Sequence, residues 1–134
     1  MAGSKSDLAE LEVLRLLTGQ ALATLSFPIT PYLALFTVVP TDAAGSGTEV
    51  SGSSYARVSA AGKFATPAAG SVATNANVDF PTVTGSGYTV VGVACFDASS
   101  GGNMVWWYDV GSTVIGVGSF ARIVSGTGTV ISEA

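Results

Sequence analysis

Tyr32-Leu33-Ala34-Leu35-Phe36-Thr37-Val38 decides the fold. Read as a strand, it puts Tyr32, Ala34, Phe36 and Val38 on one face and Leu33, Leu35 and Thr37 on the other. Both faces are mostly apolar. A strand with one wetted face alternates apolar with polar, so this one belongs in the middle of a sheet that is covered on both sides. Tyr88 to Phe96 has the same character, rich in β-branched and aromatic residues, and is predicted as a second strong strand.

Downstream of the first strand, Pro40 to Gly52 has loop composition and predicts a wide connection. Weaker strands are expected around Ser54–Ser59, Lys63–Ala65, Ser71–Asn75 and Val78–Phe80, each bounded by Gly, Pro or Asn. After Phe96, the run Ala98-Ser99-Ser100-Gly101-Gly102-Asn103 reads as a turn, and Met104 to Val110 pairs back across it. Shorter strands follow at Thr113–Val117, Phe120–Val124 and Thr127–Ile131. Strands at such short spacing point to a mainly β fold, an antiparallel β-sandwich or barrel of about eight strands.

Upstream, residues 6–25 read as a helix. Leu8, Leu11, Leu14 and Leu17 recur at every third position, with Ala21, Leu22 and Leu25 continuing the stripe. Asp7 and Glu10 resemble an N-terminal capping pair, Gly19 is a C-terminal stop with a second short turn through Leu25 as the alternative, and Pro28 and Pro31 bar further helix. The chain thus divides into an N-terminal helical segment (1–28) and a β-sandwich domain (29–134). A buried leucine stabilises by roughly 1.5–3 kcal/mol, so the stripe must meet something apolar. It is expected to pack on the chain's own sheet; the alternative is docking on another subunit.

Composition narrows the function. The chain has 134 residues, 48% of them hydrophobic and only 10% charged, with a net charge of -4. Ordinary soluble domains carry about 25% charged residues, so much of this surface is expected to be covered by a partner. There is no histidine, hence no Ser-His-Asp or Cys-His machinery, and the single cysteine, Cys95, forms no internal disulfide or CxxC motif. The five scattered basic residues lack the footprint of a nucleic-acid binder. No apolar run approaches the ~18 residues of a membrane span, and the charges at Asp7, Glu10, Glu12 and Arg15 interrupt any signal peptide.

The remaining candidates for chemistry read as structure. Gly116-Val117-Gly118-Ser119-Phe120-Ala121 matches a loose dinucleotide-binding pattern, but that pattern works only between a strand and a helix. Asp97 and Asp109 flank a hairpin and are the pair to weigh for calcium or acid–base work, yet Asp97 opens a turn whose N–H groups its carboxylate would accept. Arg57 is read as an ion-pair partner of the weak surface kind. Trp106 and Trp107 are adjacent, so on a strand they face opposite ways and one of them points away from the core. No catalytic residue, metal site or cofactor is expected. The candidate partner-interface residues are Leu8, Leu11, Leu14, Leu17, Trp106 and Trp107.

Three stretches carry a resemblance: residues 32–42 with the later Glu49-Val50-Ser51-Gly52-Ser53-Ser54-Tyr55-Ala56-Arg57; Asn75-Ala76-Asn77-Val78-Asp79-Phe80-Pro81; and Val90 to Asn103. Their order and spacing are similar to those of a family of small tailed-bacteriophage virion proteins, often labelled tail-fibre proteins and in some phages placed on the head as decoration. The resemblance covers roughly residues 8–134, and it departs from the family pattern in having Cys95-Phe96-Asp97 where Ile-Phe-Asp or Leu-Trp-Asp is usual. It implies a virion structural protein and no enzyme. The leading expectation is a capsid cement or decoration protein that clamps major capsid protein subunits, located on the capsid surface in preference to the tail. The alternative is a tail, fibre or baseplate component contacting tail proteins. A carbohydrate-binding module using a tryptophan platform is a further alternative. A homo-oligomer, dimer or trimer, is expected, with neither nucleic acid nor membrane as partner.

Overall fold

The strand over residues 32–38 does lie in the middle of a sheet. The computed structural model describes residues 3–134. In chain order it runs β1 (Gly3–Lys5), α1 (Asp7–Leu17), β2 (Tyr32–Val38), β3 (Thr48–Glu49), β4 (Val58–Ser59), β5 (Val78–Asp79), β6 (Tyr88–Phe96), β7 (Met104–Ile115), β8 (Phe120–Ile123) and β9 (Val130–Glu133). One sheet has the order β1-β7-β6-β2-β3, with β4 also on β2, and the other is β5-β8-β9. Every pairing is antiparallel. The protein is therefore mainly β with one helix near its N-terminus.

The two apolar faces of β2 serve two cores. Leu33 and Leu35 join Val93 and Cys95 of β6 in the inner cluster, which the second sheet closes with Val78, Ala121, Ile123 and Val130. Ala34 and Phe36 point the other way and pack with Ala94 and Met104. The pleat sorts alternate residues onto opposite faces, and neighbouring strands in register bring like with like: Leu33↔Cys95, Ala34↔Ala94, Leu35↔Val93. Burial pushes the Cys95 thiol up to about 12, which leaves it a small inert hydrophobe at neutral pH.

Several sequence expectations need correction. Met104–Val110 and Thr113–Val117 are not separate strands; β7 is continuous, bulging against β6 where Gly111 takes φ 77° and its N–H donates to Asp109 Oδ1 at 2.8 Å. Of the weak strands, 54–59 keeps only β4, while 63–65 and 71–75 are reduced to the isolated bridges Phe64↔Thr74 and Ala68↔Ser71. The last strand begins at Val130, later than expected. Asp97 and Asp109 do not converge: Asp109 sits opposite Gly92 in the middle of β6, whereas Asp97 follows Phe96, past the end of that strand. Asp97 is occupied in its turn, accepting Asn103 N–H at 2.6 Å and Asn103 Nδ2 at 3.0 Å. Gly116 and Gly118 lead into β8, not into a helix.

Arg57 is the largest correction. Its side chain is almost fully buried, not a surface partner. Its Nε and Nη2 donate to the two oxygens of Glu49 at 2.9 and 2.8 Å, and Nη1 donates to the carbonyls of Ala98 and Gly101 at 3.0 and 2.7 Å. The guanidinium lies over the Phe96 ring, 3.7 Å from its centroid. Tyr55 completes the knot: its hydroxyl donates to Glu49 Oε2 at 2.7 Å and accepts the Leu35 N–H at 3.0 Å. The reason lies in the sheet edge. β3 pairs with β2 at Phe36 and Val38, and β4 at Tyr32 and Leu33, so the chain leaves the ladder between them. A buried strand N–H left there without a partner is costly, and the Tyr55 hydroxyl fills the gap.

Candidate interaction surface

The helix is held by its polar residues, which turns its leucines outward. Ser6 is the N-cap, in place of the expected Asp7: its hydroxyl accepts the Ala9 N–H at 3.1 Å and donates to the Met104 carbonyl at 2.6 Å. The Ser6 N–H donates to Val105 O and the Asp7 N–H to Asp42 O, both at 2.9 Å, tying the helix start to β7 and to the 40–47 loop. At the other end Gln20 N–H reaches Arg15 O at 2.8 Å and Gly19 N–H reaches Leu16 O at 3.3 Å, with Gly19 at φ 74°. That left-handed stop closes the helix at Leu17, and no second turn follows.

The buried stripe is Ala9 and Glu12. Ala9 packs with Leu25 and Val105. Glu12 is fully buried, and its carboxylate accepts the N–H groups of Ala23 (3.1 Å), Thr24 (3.1 Å) and Leu25 (3.0 Å), with Arg15 Nε 3.3 Å away. One carboxylate thus replaces the regular structure that residues 20–31 lack. Burial works against its charge, but the three backbone donors and Arg15 outweigh it and hold the Glu12 carboxyl below its ordinary value of 4.5. Ionised Glu12 therefore contributes stability that is complete above that ordinary value and is lost as pH falls through the lower folded one. Asp79, which accepts from Arg122 at 2.7 and 2.9 Å and is likewise lowered by that pair, acts in the same direction. Between neutral pH and about pH 3 the amides of Ala23, Thr24 and Leu25 are expected to lose hydrogen-exchange protection. In a Glu12→Gln variant their protection should be low at every pH; equal protection in both proteins would remove the role given to Glu12.

With that face committed, the stripe expected to pack on the sheet does not do so. Leu11, Leu14 and Leu17 are 49%, 58% and 77% exposed, and Leu8 alone is half-buried beside the Ala9 cluster. The three exposed side chains recur at i, i+3, i+6 on a helix capped at both ends, so they form one fixed apolar ridge. The two tryptophans diverge. Trp107 lies on the outer face against Ala34 and Phe36, and its Nε1 donates to Asp42 Oδ1 at 2.9 Å. Trp106 lies on the inner side, stacked on Tyr108 with centroids 6.1 Å apart and meeting Phe64 edge-on at 6.0 Å. It also touches the helix cluster through Ala9, Leu25 and Val105. The six candidate interface residues therefore occupy three places, not one.

Glu12 and Asp42, which position the ridge, carry no sequence signal for that role. Each reads as an ordinary solvated acid until the fold brings backbone N–H groups or an indole to it.

A family model described as podophage GP4 fiber I protein gp80 matches residues 4–130, nearly the whole chain. No curated protein matches it.

Proposed function

Because the chain belongs to the podophage GP4 fiber I protein gp80 family, a family of phage virion proteins, we propose that it serves as a fibre subunit that attaches to a neighbouring virion protein through the α1 leucine ridge. The observation that carries this is the exposure of Leu11, Leu14 and Leu17 on a helix whose ends and opposite face are all pinned. A rigid apolar ridge loses little conformational entropy on docking, so most of the burial energy is retained.

The magnitude is modest. Each leucine is already partly covered, so covering the rest stabilises by on the order of 1 kcal/mol, about 3 kcal/mol for the ridge. That is too little to hold a solitary subunit against the cost of association. It suffices where several copies, a dimer or trimer included, engage the particle together.

Capsid decoration, clamping major capsid protein subunits, is the second reading. It is favoured by the lack of any repeated shaft element among the described residues. Copy number separates the two. Quantitative mass spectrometry of purified particles is expected to find a handful of copies per virion, consistent with a fibre; hundreds would place it on the shell, and none would overturn both readings.

A further inference from the structure

The second sheet is too narrow to cover the inner face of the first, and what remains uncovered is a groove. β7 is twelve residues long, whereas β5, β8 and β9 are two, four and four. The uncovered part of β7 lies next to β1 and presents Trp106 and Tyr108. Segment 64–74 and turn 126–128 stand along it as walls and enclose a cavity of about 600 Å3. This is within the range of small-molecule sites and larger than a second cavity, of about 320 Å3, near the helix N-terminus.

We propose that this groove is a carbohydrate site that takes a pyranose oligosaccharide with a sugar ring against the Trp106–Tyr108–Phe64 aromatics. A pyranose ring has an apolar face of C–H groups bordered by hydroxyls, so it needs an aromatic platform edged by neutral donors and acceptors. The groove supplies both. Trp106 stacks on Tyr108 with an interplanar angle of 21°, and Phe64 closes one side. The walls present the hydroxyls of Ser71 and Thr127, and the Ser71 hydroxyl has no hydrogen-bond partner among the described residues. Lys5 is the only charged residue on the lining, so a multiply charged ligand or an acidic or basic peptide has little to pair with.

The site is also built to stay open. Gly126 N–H donates to Thr74 O at 2.9 Å, and Ser125 N–H to Asn77 Oδ1 at 2.8 Å, so the two walls are tied to each other. The Tyr108 hydroxyl donates to Gly128 O at 3.0 Å, anchoring the turn to the floor. A preformed groove binds without first ordering its loops. The assignment does not depend on where in the particle the chain sits.

The test is titration of the full chain with malto-, cello-, xylo- and chito-oligosaccharide series, read by tryptophan fluorescence and calorimetry. At least one series is expected to bind saturably. Trp106→Ala should weaken that binding by at least about tenfold. Because Trp106 also contributes to the core, Thr127→Tyr is the second variant: position 127 is exposed and lines the groove, so a larger side chain there is expected to crowd it. It should abolish binding with the fold intact, while Leu14→Gln, an exposed helix position outside the groove lining, should bind as the parent does. No saturable binding by any series at millimolar concentration, or a Thr127→Tyr protein that binds like the parent, would overturn the assignment.

Discussion

Arg57→Ala is expected to be the most destabilising single substitution in the 49–57 region, by about 3–5 kcal/mol. Domains of this kind are stable by only about 5–15 kcal/mol, so the loss is a large share of the total. The variant removes the buried end of the ion pair and leaves the partly exposed Glu49 with only the Tyr55 hydroxyl. It also strips the Ala98 and Gly101 carbonyls of their donor and uncovers the Phe96 ring. The midpoint of thermal unfolding should fall by about 10 °C or more. Arg57→Lys should recover only part, since an ammonium group lacks the planar fork that grips both Glu49 oxygens and two carbonyls at once. Tyr55→Phe should cost less, about 1–3 kcal/mol, for the stranded Leu35 N–H. Denaturant melts of the three proteins give the ranking. An Arg57→Ala protein within about 1 kcal/mol of the parent would mean that the pair merely offsets its own desolvation.

The second large effect is on assembly, with stability left alone. Leu14→Gln combined with Leu17→Gln changes two exposed side chains on a capped helix, so folding stability should stay within about 0.5 kcal/mol. Docking should suffer by about 2 kcal/mol per contact, roughly thirtyfold, and by more where several contacts act together. The readout is the amount of protein retained on particles purified from a phage carrying the double variant, alongside a melt of the isolated protein. Parental retention would remove the ridge from the interface. Truncation of residues 1–26 is a poorer probe, because it deletes β1, the Ser6 cap on Met104 and the Leu25 side chain that covers Val105. Point changes on the ridge separate docking from folding; the deletion confounds them.

The strong strands were legible because their information is local. Tyr32–Val38 and Tyr88–Phe96 are apolar on both faces and free of proline, and their predicted limits match β2 and β6 to the residue. The glycine stop at Gly19 and the Asp97 turn are local for the same reason, each being decided by one residue's backbone preference or short reach. The weak strands failed where pairing was decided from afar. The stretch 63–75 had β-like composition, but it folds back on itself through the isolated bridges Phe64↔Thr74 and Ala68↔Ser71 and became a wall of the groove, joining neither sheet.

The amino-acid sequence by itself settled a mainly β fold with one N-terminal helix, two central strands and the family to which the chain belongs. Only the tertiary structure decided which face of the helix is buried. Hydrophobic periodicity nominates the leucine row, because it counts apolar area alone. The folded chain instead buries Glu12, since three backbone N–H groups at 23–25 need an acceptor and a buried carboxylate can satisfy all three. Hydrogen-bond demand from a distant loop outranked the leucine pattern, and that demand leaves no trace in the spacing of residues along one helix.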